Sequence, residues 1–170
     1  MTRKVAVYGG GIIAMLTALC LKQKGFSPEL WRPKKNTSAV LKTKRVFALN
    51  HASLDFLAQL GVIKPQGTLV KKMYLWDSLN QASLILKASE RNQSALAQII
   101  DESLLWQSIF HACEEHQIPL FEHESNCLPV LIEGCWQLDN GRSASMLCIA
   151  DGANSKLRET LDLDFECDDY

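Results

Sequence analysis

Neither sign of charge predominates in this sequence: 18 lysines and arginines face 19 aspartates and glutamates, for a formal net charge of −1 at pH 7. That balance excludes the broad basic field that draws nucleic acid or anionic lipid to a protein surface. The nearest approach to a basic cluster is Arg32 with Lys34, Lys35, Lys42, Lys44 and Arg45, which reads as a solvated loop. Long apolar runs are missing too, and none approaches the ~20 residues needed to cross a bilayer. The short run Val5–Tyr8 leads straight into three glycines, so no secretory leader is expected. The 6 cysteines, at 20, 113, 127, 135, 148 and 167, include no CxxC and no Cys/His spacing suited to zinc. Reduced, mostly buried thiols in a cytoplasmic protein are expected, with no metal site. His51, His111, His116 and His123 show no spacing of a catalytic triad and read as surface or helix-face residues. Repeats, low-complexity segments and a clean linker are absent as well.

What remains is ordinary globular composition, 47% hydrophobic and 22% charged, in a chain long enough to bury a core. Lys4–Tyr8 is a short β-branched run that stops at glycine, as a buried strand does. Ile12–Lys24 reads as a helix, with apolar residues at 12, 13, 16, 19 and 20 and Gly25 at its end. Glu29–Trp31 is a second strand, with Pro28 at its very start. Strand, glycine turn, helix and strand form a right-handed βαβ unit with parallel strands.

Residues 48–62 read as a helix, with caps offered by Asn50, Ser53 and Asp55, a stripe of Leu54, Leu57 and Leu60, and Gly61 at the close. Residues 68–88 alternate in two runs, "LVKKMYLW" and "ASLILKA", as an antiparallel hairpin does. A helix over about 95–116 carries Leu96, Ile99, Ile100, Leu104, Leu105, Ile109 and Cys113 on one side. "IPLFEHES" reads as a parallel edge strand. The segment at about 126–146 reads as a meander with an Asn140-Gly141 turn, its last strand running Met146–Ala150 to Asp151-Gly152. A short helix then holds Arg158. The whole describes one α/β body, 1–170, into which antiparallel strands are inserted.

Chemistry enters at Gly9, Gly11 and Ala14, spaced GxGxxA between strand and helix, with Gly10 between them. The first glycine permits the tight turn, the second lets a pyrophosphate approach the backbone, and the third small residue lets helix and strands pack closely. Amides at Ile12 and Ile13, with the helix dipole behind them, would face the phosphates. A glycine turn kept only for tight packing is the competing reading. Folds of this kind place a carboxylate at the end of the second strand for the adenosine ribose, but here Arg32 stands there. Glu29 lies three residues back and so points to the opposite face. Arginine only donates hydrogen bonds, so Arg32 would serve a 2′-phosphate or the cofactor diphosphate instead.

Three segments, "VAVYGGGIIAMLTALCLKQKGF", "RVFALNHASLDFLAQLGV" and "CIADGANSKLRETL", together resemble the FAD-dependent aromatic hydroxylases, in particular the ubiquinone-biosynthesis branch. The resemblance implies a Rossmann-like FAD/NAD(P)-binding parallel sheet with inserted strands of a substrate-domain sheet. It implies that Asp151 and Gly152 form the family's Asp-Gly motif near the flavin, and that Arg45 reaches the flavin neighbourhood. It also implies ring hydroxylation of an aromatic quinone precursor with FAD as cofactor, NAD(P)H as reductant and oxygen. Peripheral association with the inner membrane or with a biosynthetic complex goes with that role.

The chain departs from the family at Arg32, and at Ser103 and Trp106, which replace an arginine and a glutamine of the motif opening the family's long helix. Family members also continue for about as long again, through a second flavin-binding motif. A partial sheet of this kind is expected to expose apolar surface, for a partner or a second copy to cover. Three readings stay open: the N-terminal part of a flavin monooxygenase, a non-catalytic relative serving as a binding or assembly component, and an NAD(P)-binding domain in which Arg32 selects the 2′-phosphate.

Overall fold

The computed structural model describes residues 3–34, 45–77, 82–124 and 128–161. Lys35, Lys42, Lys44, Cys127, Cys167 and the hairpin connection at 78–81 lie outside the described residues. The chain divides into two compact units, Met1–Asn36 with Ile109–Tyr170, and Thr37–Ser108.

β1 (Lys4–Tyr8) is buried from Val5 onward, as a strand covered on both faces must be. α1 (Ile12–Gln23) follows the glycine turn and ends in a Schellman motif. There Gly25 adopts φ +81° while the Gly25 and Phe26 amides donate to the Lys22 and Leu21 carbonyls. The face of α1 that is buried is Ala14, Met15, Ala18 and Leu19, and Ile13 is 67% exposed. The apolar stripe expected through Ile13 is thus rotated, because small alanines let the helix lie closer to the sheet than bulky isoleucine would. β2 (Ser27–Pro33) is longer than the expected strand and contains Pro28 as its second residue. The Ser27 amide donates towards β1, to the Arg3 carbonyl, and the Leu30 amide donates the other way, to the Pro119 carbonyl. Pro28 shares the second direction, and pairing on that side begins only at Leu30, so no ladder bond is lost.

The first described element of the Thr37–Ser108 unit is β3 (Val46–Leu49), followed by α2 (His51–Gln59). Asn50 caps α2 by accepting from the Ser53 amide. Ala48 and Leu49, expected in the helix, belong to the strand. β4 (Thr68–Val70), β5 (Lys72–Trp76) and β6 (Ser83–Lys87) come next, then β7 (Ala97–Asp101) and α3 (Glu102–Glu115). The expected hairpin is β5 with β6, whereas β4 leaves it for an antiparallel sheet ordered β3-β7-β4. The single helix expected over about 95–116 is corrected: its first turn and a half is β7, the central strand of that sheet. Asn92, at φ +52°, turns the chain ahead of it, and Ala97, Gln98 and Ile100 are buried between its neighbours. Both strand neighbours satisfy its backbone, which a helix start there would not.

In the other unit β8 (Leu120–His123) lies parallel beside β2, and β9 (Val130–Ile132), β10 (Cys135–Gln137) and β11 (Ser143–Ala144) make an antiparallel meander. β12 (Met146–Ile149) then joins the parallel sheet, and α4 (Lys156–Thr160) follows, capped by Ser155. The sheet runs β12-β1-β2-β8, so Met146–Ile149 is a parallel neighbour of β1 and not the last strand of the meander. One face of this sheet carries an aromatic ladder. Tyr8, Trp31 and Phe121 share one rung, with ring centroids 5.8 Å and 4.9 Å apart. Ala144, Leu138 and Leu157 close the core over it. Glu29 is on the same face, 5% exposed, and Arg142 bonds it at 2.8 Å while stacking on Phe121. The cysteines are less buried than expected: Cys113 alone is buried among the four described free thiols.

Candidate functional site

The glycine turn is shaped by two different constraints. A Cβ on Gly9 would stand 2.2 Å from the Ala150 carbonyl oxygen and 3.0 Å from the Ala14 Cβ, and φ is +148°. The Ala150 amide in turn donates to the Tyr8 carbonyl at 2.8 Å. Gly9 therefore clamps the ends of β1 and β12, bringing Asp151 and Gly152 up against the turn. At Gly11 a Cβ would meet nothing within 4 Å. Gly11 is the N-cap of α1, no side chain caps it, and the first turn, Ile12 and Ile13 included, holds no acidic residue. Open space in front of uncapped helical amides is what an anionic group requires. Nothing in the packing demands a glycine there.

A cleft of about 190 Å³ opens beside the turn, walled by Tyr8, Gly9, Pro33, His123, Asp151 and Lys156 among others. Asp151 also borders a second hollow of about 240 Å³ with Gly152, Ser155 and Arg158. Each is below the several hundred Å³ typical of a complete ligand pocket. Tyr8, at the end of the aromatic ladder, and His123 form one wall, their rings 4.9 Å apart.

Of the residues singled out from sequence, Gly9, Gly10, Gly11, Ile12, Ile13, Ala14, Asp151 and Gly152 come together at this end of the sheet. Arg32 joins them, since a Cβ on Gly10 would lie 3.3 Å from the Arg32 Cβ. It is not the solvated loop residue expected of the basic cluster: it is the penultimate residue of β2 and its guanidinium binds Glu122 at 2.8 Å and 3.1 Å. Lys34, also from that cluster, pairs with Glu124 at 3.0 Å. Arg45 belongs to the Thr37–Ser108 unit, where its side chain is 72% exposed, 3.9 Å from Glu102 and over the Phe47 ring. Sequence reasoning missed His123 and Glu122. His123, expected on a surface or helix face, is a strand residue, 8% exposed and in the cleft wall. Among the described residues no three His, Cys, Asp or Glu side chains come together as a metal site. No described helix is long and apolar enough to cross a membrane.

No family model matches the chain. It is 25% identical over 173 residues to the 3-demethoxyubiquinol 3-hydroxylase of Escherichia coli (strain K12), covering 92% of this chain and 43% of that protein. Among solved structures, the tetrameric form of 2-methyl-3-hydroxypyridine-5-carboxylic acid oxygenase superposes with a TM-score of 0.69 at 21% identity, over 94% of this chain and 42% of that one. Klebsiella pneumoniae HpxO complexed with FAD and uric acid gives a TM-score of 0.65 at 16% identity, over 93% of this chain and 41% of that one. The α/β fold is thus the one these solved structures have, and the resemblance of the three sequence segments holds. The chain spans less than half the length of the relatives it matches, as an N-terminal portion does.

Proposed function

We propose that this chain forms the FAD-binding part of a flavin-dependent monooxygenase that hydroxylates the ring of a ubiquinone precursor with NAD(P)H and oxygen. The observation that carries the reading is the clamp at Gly9, which sets Asp151-Gly152 against an uncapped helix N-terminus with open space at Gly11. The similarity to the Escherichia coli hydroxylase supports the substrate class. The donor set fits the cofactor: amides of Gly11, Ile12 and Ile13 would bind the diphosphate, and Asp151 with Gly152 would border the flavin side. FAD, when bound, supplies the redox chemistry, for which side chains need provide only binding, orientation and exclusion of water. Tyr8 and His123, with Trp31 stacked on Tyr8, would help exclude water from the cleft. A cytoplasmic place at the membrane periphery, where such precursors are found, belongs to the same reading.

The test is the absorbance spectrum of the purified chain, followed by titration with FAD and with riboflavin. Saturable quenching of flavin fluorescence by FAD, with riboflavin bound far more weakly, is expected because the chain's contacts are to the diphosphate. No quenching at millimolar FAD overturns the reading. A second reading, a non-catalytic relative acting as an assembly component, is favoured by Ser103 and Trp106 in the first turns of α3. Flavin bound to the chain but not reducible by NADH or NADPH would favour that second reading.

A further inference from the structure

Resting on the proposal that a dinucleotide binds at the glycine turn, we infer that Glu122 of β8 is the acceptor for the adenosine ribose hydroxyls, and that its pairing with Arg32 makes the site select against a 2′-phosphate. Dinucleotide folds read this ribose with a carboxylate at the end of the second strand, and here β2 offers Arg32, its penultimate residue, which has donors only. The carboxylate has moved one strand over. Arg32 and Glu122 are register partners in the parallel pair, so their side chains leave the sheet on the same face. Gly10 fixes that face at the turn, its absent Cβ leaving room for the Arg32 stem.

The geometry of the pair decides its use. Arg32 Nε and Nη2 both donate to one oxygen, Glu122 Oε1, at 3.1 Å and 2.8 Å. Oε2 keeps its lone pairs free of hydrogen bonds among the described residues, on a side chain 41% exposed. A vicinal diol can donate to such an oxygen while Arg32 holds the carboxylate still. A 2′-phosphate would meet the same carboxylate as a like charge and would have to draw Arg32 away from it. Lys34 also lies within electrostatic reach of Glu122, but it is engaged by Glu124, so that neighbouring pair adds little net charge. Arg32 is therefore a positioning residue for Glu122 and not the phosphate clamp its sequence position suggests.

Calorimetric titration of the full 170-residue chain with 5′-ADP, 2′,5′-ADP and 2′,3′-dideoxyadenosine diphosphate tests this. The wild-type chain should bind 5′-ADP more tightly than 2′,5′-ADP, and Glu122→Ala should weaken 5′-ADP by about tenfold or more. The dideoxy probe should bind the wild-type chain as weakly as 5′-ADP binds Glu122→Ala, with no further loss in that variant. Glu122→Gln, which releases Arg32 without emptying the site, should shift the preference towards 2′,5′-ADP. Circular dichroism confirms that each variant is folded; the Glu122 side chain is 41% exposed, so both should be. Equal 5′-ADP affinity in wild type and Glu122→Ala, or a wild-type preference for 2′,5′-ADP, overturns the assignment while leaving dinucleotide binding intact. A wild-type chain that binds neither 5′-ADP nor FAD overturns both.

Discussion

Two glycines of one turn, Gly9 and Gly11, answer to different forces, and substitution separates them. A methyl group at Gly9 would occupy the space of the Ala150 carbonyl oxygen, which is backbone and cannot rotate away. Gly9→Ala is expected to cost several kcal/mol, on the order of the larger overpacking penalties, and to show as a lower urea midpoint. Gly11→Ala meets no atom within 4 Å. It should leave the urea midpoint within about 1 kcal/mol of wild type, yet weaken FAD binding by about tenfold or more, because the methyl group fills the phosphate's approach. A Gly11→Ala chain that binds FAD normally would remove Gly11 from the site. Cys113 gives a prediction in pH. Burial among apolar groups pushes its thiol up from the ordinary value of 9.0 to about 12. The folded state thus holds the proton more tightly than the unfolded chain. Its contribution to stability is whole below pH 9.0 and drains away as pH rises towards about 12. Urea midpoints measured across that window should fall for the wild type and fall less for Cys113→Ala. The same burial predicts that iodoacetamide labels Cys113 only after unfolding, well behind the half-buried Cys20.

At the level of elements, β7 shows both how far pattern carries and where it stops. Ile99 and Ile100 are neighbours in sequence, but on a strand they face opposite ways, 37% and 1% exposed. Ile100→Ala should therefore cost about 2–5 kcal/mol in chemical denaturation and Ile99→Ala about 1 or less. On the helix expected from sequence both positions would have lain on the one apolar side, so similar losses at the two sites would contradict the strand. Periodicity misread this segment because the strand is only Ala97–Asp101 and runs without a break into α3. A five-residue strand beside a true helix has no period of its own. Where an element is long or bounded by a cap, sequence served better. β1, α1 and the Asn50 cap are placed by local rules, because buried strands, Schellman glycines and N-caps draw on neighbours a few residues away. The candidate site divides in the same way. Gly9, Gly11 and Asp151-Gly152 are visible as motifs, whereas Glu122 and His123 become neighbours of the turn only through the β2–β8 register. That register joins residues 90 apart in the chain, a separation that no local pattern encodes. Glu29 is the middle case: its facing away from Arg32 follows from strand alternation, but its burial against Arg142 needs the meander to be in place.

For the molecule as a whole, the notable quantity is how much apolar surface the described residues leave in water. The parallel sheet is covered on its aromatic face, but the β5–β6 ribbon is open on both of its faces. Tyr74, Trp76 and Ile85 stand on one at 57%, 77% and 44% exposure, and Leu75 and Leu84 on the other at 49% and 53%. A two-stranded ribbon is marginally stable by itself, and side chains such as these are normally covered in a protein of this size. Contiguous apolar surface attracts amphiphilic dyes without any loss of structure, so the folded chain is expected to bind anilinonaphthalene sulfonate at neutral pH. If the ribbon is the source, Trp76→Ser with Leu84→Ser, one from each face, should at least halve the dye signal. Neither substitution removes a buried contact, so the urea midpoint should stay within about 1 kcal/mol of wild type. An unchanged dye signal in the double variant would move the source to Val130, Leu131 and Ile132 of β9, exposed between 51% and 57% in the other unit. A fall in dye binding accompanied by a collapse of the urea midpoint would instead mean that the ribbon's side chains are holding structure together.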